Sequence, residues 1–147
     1  DPVWFRTSGE QKGRDGARVP MPWSGDAPPY GFSDTKVSTW LPQPLDWSEL
    51  YVDAQRGDPD ATLTQYVTML LLRHAHPGLR VREVSVDVLD GLLVLRRSDG
   101  FACVVNFGED EALSPIEGEL LVRSDRDVLQ RGRQFALPPS TGAWIQA

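Results

Sequence analysis

Apolar positions along this chain obey two different spacings. Between residues 58 and 76, Leu63, Tyr66, Val67, Leu70 and Leu71 recur at i, i+3 and i+4 and predict one apolar stripe on a helix. Asp58 suits the cap, Pro59 the first helical position, and Asp60 complements the positive dipole end. Arg73, His74 and His76 stand where cations favour the negative end, and Pro77-Gly78 stops the helix. After Gly78 the period drops to two. Val84, Val86 and Val88 alternate with Ser85 and Asp87. Asp90-Gly91 predicts a hairpin into 92–95, and Asp99-Gly100 a turn into 101–107. Further strands are expected near 111–114, 119–124, 133–137 and 142–146. Short strands separated by turn residues over 81–147 indicate an antiparallel sandwich or barrel.

Residues 1–60 show hardly any period. They hold eight of the twelve prolines, and Pro20, Pro22, Pro28, Pro29, Pro42 and Pro44 repeatedly interrupt helix and strand. A disordered tail is short of aromatics, whereas this segment carries Trp4, Phe5, Trp23, Tyr30, Phe32, Trp40, Trp47 and Tyr51. The pattern therefore predicts an ordered, irregular excursion pinned by aromatics against another surface, with a short helical turn near Asp46 to Tyr51.

Composition narrows the partners. The 147 residues carry a net charge of −6, without the basic face that phosphate neutralisation needs, so nucleic acid is not expected as a partner. No apolar run approaches the roughly 20 residues that span a bilayer, and no polybasic anchor is present, so no membrane association is expected. The single cysteine, Cys103, excludes an internal disulfide framework and a cysteine-based zinc cluster. The chain opens Asp1-Pro2-Val3-Trp4 with no signal peptide and no Met, which points to a piece of a longer or trimmed polypeptide, with the cytoplasm as the expected setting.

Candidate chemistry is sparse. His74 and His76 lie two apart at a helix end, about 200° around the axis, and cannot share one metal. Cys103 sits mid-strand with no basic neighbour in sequence and no C-x-x-C partner, and reads as structural. Glu109, Asp110 and Glu111 read as a solvated turn. No nucleophile elbow, P-loop or dinucleotide fingerprint appears, so no catalytic residue, metal or cofactor is expected within the chain. The richest stretch is 13–23, where Arg14, Asp15, Arg18 and Trp23 fall among glycines and prolines. An arginine fork there can donate to sugar hydroxyls or hold a carboxylate, and Trp offers an apolar face. Alternatively, an Arg–Asp ion pair holds the loop and Trp23 plugs it.

At this stretch the chain resembles a family. Arg14-Asp15-x-x-Arg18-x-Pro20-Met21-x-Trp23 is similar to a segment of α-glucosidases in the oligo-1,6-glucosidase branch of the α-amylase superfamily. Asp1-Pro2-Val3-Trp4 with Arg6, Tyr30-Gly31-Phe32 and Trp40-Leu41-Pro42 follow in the same order. So do Leu72-Arg73-His74 with His76-Pro77, Val104-Val105-Asn106-Phe107 and Leu137-Pro138-Pro139. The resemblance covers nearly the whole chain.

It implies a mainly β chain. Residues 1–78 would end a (β/α)8 catalytic barrel domain, as the loop after strand 8 and the final helix, and residues 79–147 would form an antiparallel β-sandwich C-terminal domain. It implies retaining hydrolysis of terminal α-linked glucose from oligosaccharides, with an Asp nucleophile, a Glu acid/base and a second Asp. Those acids lie on earlier barrel strands, so the isolated chain is expected to be inactive. Its partners would be an α-glucoside oligosaccharide and the upstream barrel portion of the same enzyme. The resemblance assigns Arg14 to substrate binding, Asp15 to orienting the loop, and Arg18 and Trp23 to structure. A different reading is a free-standing carbohydrate-binding or structural sandwich, which would need exposed tryptophans as platforms.

Overall fold

The computed structural model describes residues 1–34, 38–80 and 82–147. Residues 35–37, within the irregular excursion, and Val81, where the pattern places the start of the strand array, lie outside the described residues. The chain forms two compact units, Asp1–Leu63 and Thr64–Ala147.

The second unit is the expected sandwich. Its strands are β1 (Ser85–Leu89), β2 (Leu92–Arg96), β3 (Phe101–Asn106), β4 (Ala112–Leu113), β5 (Glu119–Arg123), β6 (Leu129–Arg131), β7 (Gln134–Leu137) and β8 (Thr141–Gln146). One sheet runs β1-β2-β3-β8-β5 and the other β4-β7-β6, with every pairing antiparallel. Asp90 and Gly91 both take positive φ, 51° and 80°, which gives the tight hairpin expected of Asp-Gly. Val94, Val104 and Ala143 stand opposite one another across three strands. With Leu92, Ala102 and Ile145 they meet Phe135 and Leu137 of the second sheet in the buried core. The buried Asn106 amide closes one end. It donates to the carbonyls of Asp110 and Leu137 at 2.8 Å and accepts the Gly108 N–H at 2.8 Å.

Helix α3 (Thr62–Ala75) lies on the other face of the five-stranded sheet. Met69 lines a gap with Cys103, Val105 and Trp144, and Gln65 Nε2 donates to the Ser124 carbonyl at 3.0 Å. The helix begins four residues later than the pattern predicts. Asp58 turns inward on itself: its carboxylate accepts the Asp60 N–H at 2.9 Å, and its carbonyl accepts the Ala61 N–H. Gln55 Oε1 instead accepts the Leu63 N–H at 3.2 Å, satisfying one of the orphan donors of the first turn. Most of the predicted stripe stays wet: Leu63 is partly buried, but Tyr66, Val67, Leu70 and Leu71 are 48–66% exposed. At the helix end the His76 ring meets Phe101, 5.6 Å between centroids, and Phe101 meets Trp144 edge-on.

The first unit is irregular, with two short helices that the pattern does not foresee, α1 (Pro2–Arg6) and α2 (Val52–Arg56). A 3-10 turn at Leu45–Glu49 matches the expected helical turn near residue 46. Tyr30 and Val52 are its buried apolar side chains among the described residues, whereas Phe5, Trp40 and Leu45 are 78–97% exposed. Backbone bonds tie its segments together. The Trp23 and Ser24 N–H groups both donate to the Tyr30 carbonyl, and the Val52 and Asp53 N–H groups donate to Pro22 and Trp23. No described helix is long and apolar enough to cross a membrane.

Candidate substrate-binding loop

Residues 13–23 occupy one edge of the first unit. Arg14 precedes a 3-10 turn, Asp15–Arg18, and its carbonyl accepts the Ala17 N–H at 3.0 Å. The Asp15 carboxylate pairs with Arg18, its Oδ1 lying 3.4 Å from Nη1. Among the described residues, the Arg14 guanidinium has no hydrogen-bond or ion-pair partner, and the side chain is exposed. The two sequence-level alternatives are therefore divided between two arginines. Arg18 makes the Arg–Asp pair, and Arg14 remains available.

Trp23 is not the plug. It is 46% exposed, and only its backbone is tied in, to Tyr30 and Asp53. Tyr30 takes that role. It is fully buried, and its hydroxyl lies 3.0 Å from both the Pro44 and the Leu45 carbonyl oxygens. The signal for it was the Tyr30-Gly31 step, where both residues take positive φ, 49° and 68°, so the chain reverses around a large side chain. Gln43, also buried, donates from Nε2 to the Pro20 carbonyl at 2.9 Å and secures the end of the 13–23 segment.

The remaining candidates lie apart from this loop in sequence and role. Residues 109–111 are exposed, as a solvated turn requires. His76 Nδ1 accepts the Gly78 N–H, and the His74 carbonyl accepts from the Arg80 guanidinium, so each serves the helix end. Among the described residues no cluster of three His, Cys, Asp or Glu is placed to hold a metal ion. Cys103 lines a cavity of about 320 Å³ with Arg73, Leu79, Phe101 and Trp144. Burial pushes its thiol pKa up, only partly offset by a hydrogen bond with the Trp144 side chain. Trp144, the sandwich's one tryptophan, is partly buried and meets Phe101 edge-on.

Comparison with known proteins gives the family. Residues 1–81 match the model of the alpha-amylase catalytic domain. The chain is 34% identical over 130 residues to a probable alpha-glucosidase of Rhizobium meliloti (strain 1021), covering 80% of this chain and 23% of that protein. It is 33% identical over 72 residues to an oligo-1,6-glucosidase of Heyndrickxia coagulans, covering 49% of this chain and 12% of that one. The chain thus spans less than a quarter of the length of these relatives. The fold superposes on trehalose-6-phosphate hydrolase of Bacillus licheniformis with a TM-score of 0.70 at 19% identity, over 95% of this chain and 29% of that one. With a catalytic-domain match over more than half its length, this chain belongs to the alpha-amylase family.

Proposed function

We propose that this chain is the C-terminal part of an α-glucosidase that releases terminal α-linked glucose from oligosaccharides with retention of configuration. In this reading residues 1–78 end the catalytic barrel domain and residues 79–147 form the C-terminal sandwich domain. The nucleophilic Asp, the acid/base Glu and the second Asp come from the upstream barrel portion. The cytoplasm is the setting. The observation that carries the reading is the unpaired Arg14 guanidinium next to an Asp15 that pairs with Arg18, on a segment matching a catalytic domain.

The chemistry follows from the side chain. A guanidinium presents five donors in a rigid plane and keeps its charge at any working pH. Two of those donors can bridge adjacent hydroxyls of a terminal glucose, selecting a chain end. Loops after barrel strands open on the catalytic face, which suits such a contact. The exposed stripe of Tyr66, Val67, Leu70 and Leu71 supports the same reading, because an apolar helix face of this width calls for a cover.

The test mixes the chain with the acid-bearing barrel portion and follows hydrolysis of p-nitrophenyl α-glucoside. Activity is expected from the mixture and from neither part alone. A hydrogen bond from a charged group is worth about 1.5–3 kcal/mol, so Arg14→Ala should lower kcat/KM by about 10- to 150-fold. Full activity in Arg14→Ala would overturn the assignment of Arg14, and failure of the parts to associate would overturn the assembly.

A further inference from the structure

The turn that presents Arg14 is anchored on both sides, by the Asp1 carboxylate at Gly13 and by Arg18 at Asp15. The Asp1 side chain is 13% exposed, and its Oδ1 accepts the Val3 N–H at 2.8 Å at the start of α1. The same carboxylate lies flat against Gly13. A Cβ at Gly13 would fall inside contact distance of both its oxygens, so the carboxylate would have to shift. Gly13 has no positive φ, so what favours glycine here is this close approach and not backbone conformation. On the other side of Arg14, Asp15 Oδ1 pairs with Arg18. Arg14 stands between two anchored neighbours.

We infer that Asp1 and Asp15 are positioning residues for Arg14. Asp1 fixes the turn through its carboxylate at Gly13, and Asp15, paired with Arg18, leaves the Arg14 guanidinium unpaired for a sugar's hydroxyls. The arrangement fixes the turn before substrate arrives, so binding need not supply its ordering. This inference rests on the reading of Arg14 as a substrate contact and adds the residues that hold it.

The experiment uses the enzyme assembled with its acid-bearing barrel portion and measures kcat and KM for p-nitrophenyl α-glucoside. Gly13→Ala displaces the Asp1 carboxylate, and Asp15→Asn removes a charge while keeping the side-chain shape. Each should lower kcat/KM by about tenfold, mainly through KM, and by no more than Arg14→Ala does. Combined with Arg14→Ala, each should add less than about twofold, because residues acting through one group are not additive with its removal. Asp1→Ala should restore tolerance of Gly13→Ala by removing the obstructing carboxylate. Wild-type kinetics in both single variants would overturn the inference, as would losses that persist in full in the Arg14→Ala background. Arg14→Ala with wild-type kinetics would instead remove the reading beneath it. Thermal melts of each variant identify a loss due to misfolding, and Asp15→Asn then decides where Gly13→Ala does not fold.

Discussion

The wet stripe of α3 gives the assembly its sharpest test. Leu70 and Leu71 are 52% and 66% exposed, so roughly half to two-thirds of each side chain still has water to lose. Full burial of a leucine is worth about 1.5–3 kcal/mol, and the exposed share therefore corresponds to about 1–2 kcal/mol per residue on covering. Leu70→Ala with Leu71→Ala should weaken association with the barrel portion by about 2–4 kcal/mol, a factor of about 30 to 1,000 in Kd. The chain alone should hardly respond, because these side chains are already largely solvated. Its loss should stay below about 1 kcal/mol, against about 2–5 kcal/mol for Ile145→Ala in the closed core. Calorimetric titration gives the first quantity and circular-dichroism melts of the isolated chain the second. A Kd within threefold of wild type would refute the claim that this face is covered by the barrel. So would a loss in the isolated chain equal to that of Ile145→Ala, since the stripe would then already be core.

Two further outcomes probe the sandwich. Asn106→Ala strands the Leu137 carbonyl and breaks the tie to Asp110 and Gly108, so urea denaturation should show a loss of about 2–4 kcal/mol. Cys103 carries a pH signature. Its folded pKa is raised above the ordinary 9.0 by burial, so the folded state keeps a proton that the unfolded state releases first. Stability from this group is complete below the unfolded pKa and is lost as pH rises through the folded one, so urea midpoints should fall between about pH 8 and about pH 10 more in wild type than in Cys103→Ala. Identical slopes for the two proteins would sink that account.

The sandwich was legible because each of its rules is local. Alternation and the Asp-Gly steps locate β1, β2 and β3, since hairpin chemistry needs only adjacent residues. The strand that the pattern missed, β6, has Leu129, Gln130 and Arg131 all exposed, so its sequence has no alternation to read. It pairs through the turn at Gly132, where φ is 65°. The start of α3 was misjudged for a different reason. Asp58 and Pro59 are good capping residues, but the cap that forms comes from Gln55 on the preceding turn, and an amide eight residues away leaves no local trace. Helix periodicity located the stripe correctly but not its environment. The same spacing suits a face turned to the sandwich and a face turned away from it, and Gln65 and Met69, not Leu70 and Leu71, are the residues that engage the sheet.

The first unit shows why a site of this kind resists reading from spacing alone. Its order depends on hydrogen bonds converging on one residue, Tyr30, and on a carboxylate pressed against Gly13, contacts such as Trp23–Tyr30, Tyr30–Pro44 and Asp1–Gly13 that follow no period. Among the described residues Tyr30 and Val52 are its buried apolar side chains, and Phe5, Trp40 and Leu45 are exposed. In the proposed assembly the barrel portion covers these three, and full burial of a large apolar side chain contributes about 1.5–3 kcal/mol. A loop whose stability depends on the surface it covers is held in register with that surface. This coupling lets Arg14 remain unpaired at an exposed position without the turn around it losing its shape.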